Sequence, residues 1–207
     1  MTAIREVDIV ESADPRLGRV AEAFRREGRA PISLHRVIAN APGVLEGFHA
    51  LSDALRYGTD VADSVRELAI LRTAQITNST YEWVHHVVLA ERFGVTQSDI
   101  DNLDTWAAAN FDDATKAALQ LTDEIAGLGV TAETVENLAR HFTPAQIVAL
   151  VVCISHYHAV ARITQALDIE VEPEYRDAYA STGRRDRSGS QSAPSGTLTK
   201  ATGGNEL

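Results

Sequence analysis

"RELAILRTAQITNSTYEWVHHVVLAERFGVTQSDID", residues 66–101, holds two helical segments back to back, and their reading decides the fold. The first runs over residues 61–77. The second runs over 80–93 and stops at Gly94, a residue suited to the left-handed backbone that ends a helix. Ser79, Glu82, His85 and His86 crowd the start of the second segment. Ser79-x-x-Glu82 has the form of a capping box, in which the serine oxygen takes the N3 amide and the glutamate reaches back to the N-cap amide. On that reading Glu82 is occupied with backbone, Trp83, Val87 and Ala90 are core, and the histidines sit at a helix contact. The same residues also make a site. Helical spacing puts Glu82, His85 and His86 on one face, and a carboxylate beside an imidazole fixes its tautomer and favours imidazolium. Such a histidine is a general acid or base near neutral pH. The two readings are compatible, because a helix start also favours an anion.

Outward from this pair the periodicity stays helical. Leu17, Val20, Ala21 and Phe24 repeat at helical spacing behind Asp14-Pro15, an N-cap and first-turn pair. A short segment over 33–40 stops before Pro42, and residues 43–57 group Leu45, Phe48, Leu51 and Leu55 before Gly58. Further segments cover 96–106, 112–126 and 131–142. Thr143-Pro144 opens the longest, 145–167, with Ile147, Leu150, Val151, Ile154, His158 and Ala161 along one stripe. No run alternates as a strand does, so the chain reads as all-α, with about eight or nine helices. Residues 1–180 form the helical domain around a core motif at 61–101. Residues 181–207 are rich in Ser, Thr and Gly with almost nothing to bury, and read as a disordered tail.

Hydrophobic residues make up 44% and charged residues 23% of the 207, a globular balance. The net charge of −10 repels phosphate backbones and anionic lipid, which argues against nucleic-acid and membrane partners. The N-terminus is acidic and lacks the apolar core of a signal peptide, and the longest apolar stretch, residues 147–154, is short for a bilayer. A cytoplasmic location is the expectation. The one cysteine, Cys153, lies in that apolar run, where a buried inert thiol is expected.

A metal reading also fits the letters. Glu82-x-x-His85 and Glu46-x-x-His49 are both Glu-x-x-His steps, and paired steps of this kind on bundle helices, with a further glutamate such as Glu67, build dinuclear carboxylate centres. His156 and His158 flank Tyr157 on the long helix and serve equally as packing residues or ligands. No Cys-x-x-Cys, nucleophile elbow, phosphate loop or dinucleotide fingerprint is present.

The pattern Arg66-Glu67-Leu68, Leu71-Arg72, Tyr81-Glu82-Trp83, His86, Ala90 and Gly94 resembles the carboxymuconolactone decarboxylase family, which shares its fold with alkylhydroperoxidase D-like proteins. Peroxidase-type members carry a glutamate, a Cys-x-x-Cys and a histidine four residues beyond. Here Glu67 and His86 match the glutamate and histidine, while Ser79 and Glu82 stand at the two cysteine positions. A hydroxyl and a carboxylate cannot cycle through a disulfide, so thiol peroxidase activity is not expected. The resemblance is to the decarboxylase-type branch. It implies a cofactor-independent lyase, isomerase or hydrolase acting on a small carboxylate or lactone, with no metal. His86 is then the acid or base, Glu82 its orienting partner, and Glu67 a supporting carboxylate. His85, Tyr81 and Arg72 are the substrate contacts, although Arg72 also suits a salt bridge on its helix. The resemblance further implies a homo-oligomer, a trimer or hexamer. A non-catalytic ligand-binding or scaffold role is the alternative.

Overall fold

A computed structural model describes residues 4–176; the tail at 181–207 lies outside them. Among the described residues there are nine α-helices with both ends defined, one 3-10 turn, a further helical turn at 173–176 and no strand. In chain order they are α1 (Pro15–Arg26), α2 (Ser33–Ile38), α3 (Pro42–Tyr57), α4 (Asp63–Ile76), α5 (Thr80–Arg92), α6 (Gln97–Asp101), the 3-10 turn Leu103–Thr105, α7 (Asp113–Ala126), α8 (Ala132–Leu138) and α9 (Pro144–Ala166). The expected helix starts are present as caps. Asp14, Ser79, Thr96, Asp112, Thr131 and Thr143 each accept a backbone N–H of the first turn through the side chain. The segment expected over 96–106 is broken into α6 and the 3-10 turn.

Helix α4 is the centre of the domain. It packs against α5, α7 and α9, and residues 65–71 together with Thr73 and Ala74 are all buried. A helix covered on every side loses its polar face, which is why this segment carries charged Arg66 and Glu67 inward rather than outward. One apolar cluster joins Val65 and Ala69 to Leu121 of α7 and Leu150 and Ile154 of α9. A second joins Leu68 and Leu71 to Val87 and Ala90 of α5. A third, around Leu17, Phe24, Leu34 and Leu45, packs α1, α2 and α3 together.

Two residues placed on buried stripes by periodicity are exposed: Leu51 of α3 at 41% and Val151 of α9 at 37%. Helix period defines a stripe, but the covering neighbour decides its width, and among the described residues none covers these positions fully. Helix α9 is long and apolar enough to cross a bilayer, although residues 147–154 alone are not; half of the most apolar span of α9 is buried, and the helix packs against α4, α5 and α7.

The α4–α5 hairpin turns on Asn78, whose φ of 51° is left-handed. Asn78 N–H donates to Gln75 O at 3.2 Å and Ser79 N–H donates to Ala74 O at 2.9 Å, the paired bonds of a Schellman ending. Gly94, at φ 84°, closes α5 the same way, with Val95 N–H on Ala90 O at 3.0 Å.

Candidate active site

The hairpin brings Glu67 of α4 against His86 of α5, nineteen residues later in the chain. Glu67 Oε2 and His86 Nδ1 are 2.7 Å apart, and Glu67 is wholly buried. The other carboxylate oxygen lies 3.4 Å from Arg66, itself 2% exposed and anchored to Asp63 at 2.6 Å. Burial alone would raise the Glu67 carboxyl, but His86 and the Arg66 and Arg56 guanidiniums outweigh it and hold the group below its usual range. Burial pulls His86 below 6.5 despite the opposing pull of Glu67. At neutral pH the pair is therefore a carboxylate and a neutral imidazole. The Nδ1 proton points to Glu67, which leaves Nε2 as the basic nitrogen. The partner of His86 is thus Glu67, where the sequence suggested Glu82; the hairpin, not the helix face, supplies the orienting carboxylate.

Glu82 has a different environment. Ser79 Oγ accepts its amide at 3.4 Å, so half of the capping box forms. The other half cannot, because the Ser79 N–H is already bonded to Ala74 O. The carboxyl turns inward instead, is 3% exposed, and its Oε1 has no hydrogen-bond partner among the described residues. Burial pushes its pKa up to about 8, so at pH 7 it is mostly a neutral acid.

Glu82, His85 and His86 line a cavity of about 60 Å³, room for a few waters or part of a small ligand. Helix α9 contributes His156 and Tyr157, and α3 contributes His49, Ser52, Asp53 and Arg56. The His86 ring meets Tyr157 edge-on at 4.8 Å. His156 Nε2 lies 3.0 Å from Ser52 Oγ, and burial lowers its pKa to about 4, so it is a neutral wall residue. The Arg56 Nε is buried without a partner.

His85 and Tyr81 face a second network. Glu172, beyond α9, lies 2.9 Å from His85 Nε2 and accepts the Tyr81 hydroxyl at 3.0 Å and the Ser33 amide at 2.5 Å. The carboxyl is pulled down to about 2: burial opposes ionisation, but His85 and the Ser33 amide together outweigh it. Tyr175 stacks on His85 with ring centroids 4.0 Å apart. The expected substrate contacts Tyr81 and His85 border the cavity but are committed to this tie between α2, α5 and the segment after α9.

Arg72 is outside the cavity. It forms a two-pronged pair with Asp123 of α7 at 2.6 and 3.0 Å, and Asp123 also accepts the Trp106 indole at 3.0 Å. The arginines that line the cavity are Arg29 and Arg56, and no local pattern marked them. The paired Glu-x-x-His set is not assembled either, since Glu46 points to Arg19 on the surface at 2.6 Å. Cys153 is buried, and burial pushes its thiol up to about 12, the state of a structural cysteine.

Residues 42–124 match the Carboxymuconolactone decarboxylase family, so the resemblance read from residues 66–101 is borne out. The matched span contains Glu67, Glu82 and His86. Solved structures share the fold. One is an alkylhydroperoxidase-core, peroxidase-related protein from Ralstonia eutropha JMP134, 17% identical, covering 84% of this chain and 94% of that one at a TM-score of 0.70. A second is the debrominase Bmp8 with 2,3,4-tribromopyrrole, 16% identical, covering 88% and 97% at 0.71. A third is a peroxidase-related protein from Silicibacter sp. TM1040, 16% identical, covering 86% and 99% at 0.70. At these identities the likeness is one of fold. No curated protein matches the chain.

Proposed function

From a chain whose residues 42–124 carry the carboxymuconolactone decarboxylase pattern, we propose a cofactor-independent enzyme that moves protons on a small carboxylate or lactone. The observation that carries this reading is the Glu82 carboxyl: buried, unpartnered at Oε1, and protonated near neutral pH, on the same cavity as a neutral His86. Two titratable groups whose surroundings set them as acid and base in one cavity are the ordinary equipment of proton-transfer catalysis. Glu82 is the acid, His86 the base through Nε2, and Glu67 the carboxylate that orients His86. Arg56, with its buried unpaired Nε, holds the substrate carboxylate.

In a decarboxylation the bond to the departing CO₂ breaks, its electron pair passes into an adjacent carbonyl, and Glu82 returns a proton to carbon. In an isomerisation His86 removes the proton and Glu82 supplies one at the new position. The peroxidase-related and debrominase chemistry of the fold neighbours is not carried over, because the chain's one thiol is buried and has no second cysteine. A homo-oligomer, trimer or hexamer, belongs to the same proposal; the exposed Val148, Val151 and Val152 on α9 support it.

The test is turnover in D₂O with a panel of small carboxylated lactones, read by proton NMR for CO₂ loss or for deuterium entering carbon. Wild-type protein is expected to turn over at least one member, and Glu82→Gln and His86→Ala to lose that activity with the fold intact. Full turnover by both variants would show that other residues do the chemistry. A non-catalytic binder would hold such compounds without exchanging any carbon-bound proton.

A further inference from the structure

On the α1–α3 side of the same cavity the structure brings together three groups that the proton-transfer reading does not use: Glu27, His49 and Asp53. We propose that they form a binding site for one divalent transition-metal ion of the zinc type.

His49 and Asp53 are one turn apart on α3, and Glu27 is the residue that ends α1. His49 Nε2 lies 3.5 Å from Asp53 Oδ2 and 3.8 Å from Glu27 Oε1, and the three donor atoms all fall within 4.8 Å of one another. Ligands at about 2.0–2.2 Å from a tetrahedral zinc-type ion stand about 3.4 Å apart. The two distances from His49 are therefore close to those of a coordination shell and too wide for direct hydrogen bonds from Nε2, and the two carboxyls, which hydrogen-bond each other, hold the third side.

His49 supplies the second observation. It is 5% exposed, and its Nε2 is buried with no hydrogen-bond partner among the described residues. An imidazole nitrogen in that state is costly unless something fills the place it faces. Its ring is fixed by Phe24, with centroids 4.5 Å apart, and by the edge of His35. The carboxylates are fixed from behind. Arg29 bonds Glu27 through Oε2 and Asp53 through Oδ1, the latter at 3.1 Å. The guanidinium thus takes the outer oxygen of each carboxylate and leaves Oε1 and Oδ2 turned toward His49, the way outer groups orient metal ligands.

One imidazole and two carboxylates suit a borderline ion such as Zn²⁺ or Co²⁺. Three protein ligands leave a position for water or a substrate oxygen, and His49 and Asp53 both line the cavity that Glu82 and His86 line. The sequence pattern Glu46-x-x-His49 pairs this histidine with a different carboxylate, and Glu46 instead faces Arg19. This proposal stands apart from the proton-transfer reading and departs from the cofactor-free expectation.

The experiment uses tag-free full-length protein stripped with a chelator and titrated with Co²⁺, read by its visible absorption, with Zn²⁺ as competitor and elemental analysis for stoichiometry. One Co²⁺ per chain is expected, displaced by Zn²⁺. His49→Gln and Asp53→Asn should each weaken binding by about 10²-fold or more. Glu82→Gln and His86→Ala should bind as wild type even where turnover is lost, which separates this site from the other. Circular dichroism shows whether each variant is folded, and if His49→Gln is not, the half-buried Asp53→Asn decides. No stoichiometric binding by wild type, or binding that folded Asp53→Asn leaves unchanged, overturns the proposal and leaves a histidine–carboxylate ion cluster.

Discussion

Replacing Glu82 by glutamine should stabilise the protein while removing its proposed activity, and the stabilisation should grow with pH. The unfolded chain presents Glu82 to water with an ordinary pKa near 4.5, whereas burial in the folded protein raises it to about 8. Because the folded value is the higher one, the group's contribution is fully present below 4.5 and is lost as pH rises toward about 8. Between about pH 5 and about pH 8 the unfolded state gains roughly 3 kcal/mol over the native state through this one group, at about 1.4 kcal/mol per pH unit. Glutamine has the same shape and no proton to lose. The stability difference between Glu82→Gln and wild type should therefore widen by about 3 kcal/mol over that range. The assay is urea unfolding at several pH values and a single protein concentration, since oligomerisation would make the midpoint concentration-dependent. Comparing the two proteins across pH cancels the fixed cost of burying an amide. Parallel stability curves, with a constant difference from acid to alkaline pH, would mean that Glu82 titrates normally in the folded protein and would refute its assignment as the acid.

The pH profile of kcat/KM should be bell-shaped, falling on the acid side below 6.5, where burial-depressed His86 takes up its proton, and on the alkaline side near 8, where Glu82 loses its own; a profile flat through 8 would exclude Glu82. Glu67→Gln should lower kcat by about 10²-fold or more by freeing the His86 tautomer, and should destabilise the fold by leaving Arg66 short of a buried partner, both readable from one preparation by steady-state kinetics and urea unfolding. Ser79→Ala should cost about 1 kcal/mol or less of stability through its single cap bond with kcat unchanged; a large loss of kcat would place Ser79 in the chemistry. Glu172→Gln should lower the thermal midpoint through the weakened His85, Tyr81 and Ser33 bonds, at about 2 kcal/mol, and differential scanning calorimetry reads it.

The helices were legible because their signals are local. Asp14-Pro15, Thr143-Pro144 and Gly94 mark ends through the geometry of one or two residues, and the periodicity between them needs no knowledge of neighbours. Leu51 and Val151 were misplaced because a stripe is buried only as far as another element reaches. The candidate site was legible only in part. His86 and Glu67 came from a motif confined to one hairpin. Glu172 was not legible, since its link to Ser33 spans 139 residues and depends on where the chain returns after α9. Arg56 and Asp53, which line the cavity, carry no local pattern either, because only the packing of α3 against other elements brings them there.

The question posed by Ser79 and Glu82 resolves through a backbone donor that the sequence pattern does not show. A complete capping box needs the N-cap amide to be free, so that the N3 carboxylate can take it. In this hairpin α4 and α5 are so closely joined that Ser79 belongs to both: it starts α5, and its amide also ends α4 by bonding Ala74 O. The preceding helix thus consumes the donor that would have held Glu82 in place. Denied the backbone, the carboxyl lies in a buried space where, among the described residues, Oε1 has no partner, and it is this burial that raises its pKa. The tightness of the turn, set by left-handed Asn78, therefore bears on the burial of Glu82 as well as on the fold.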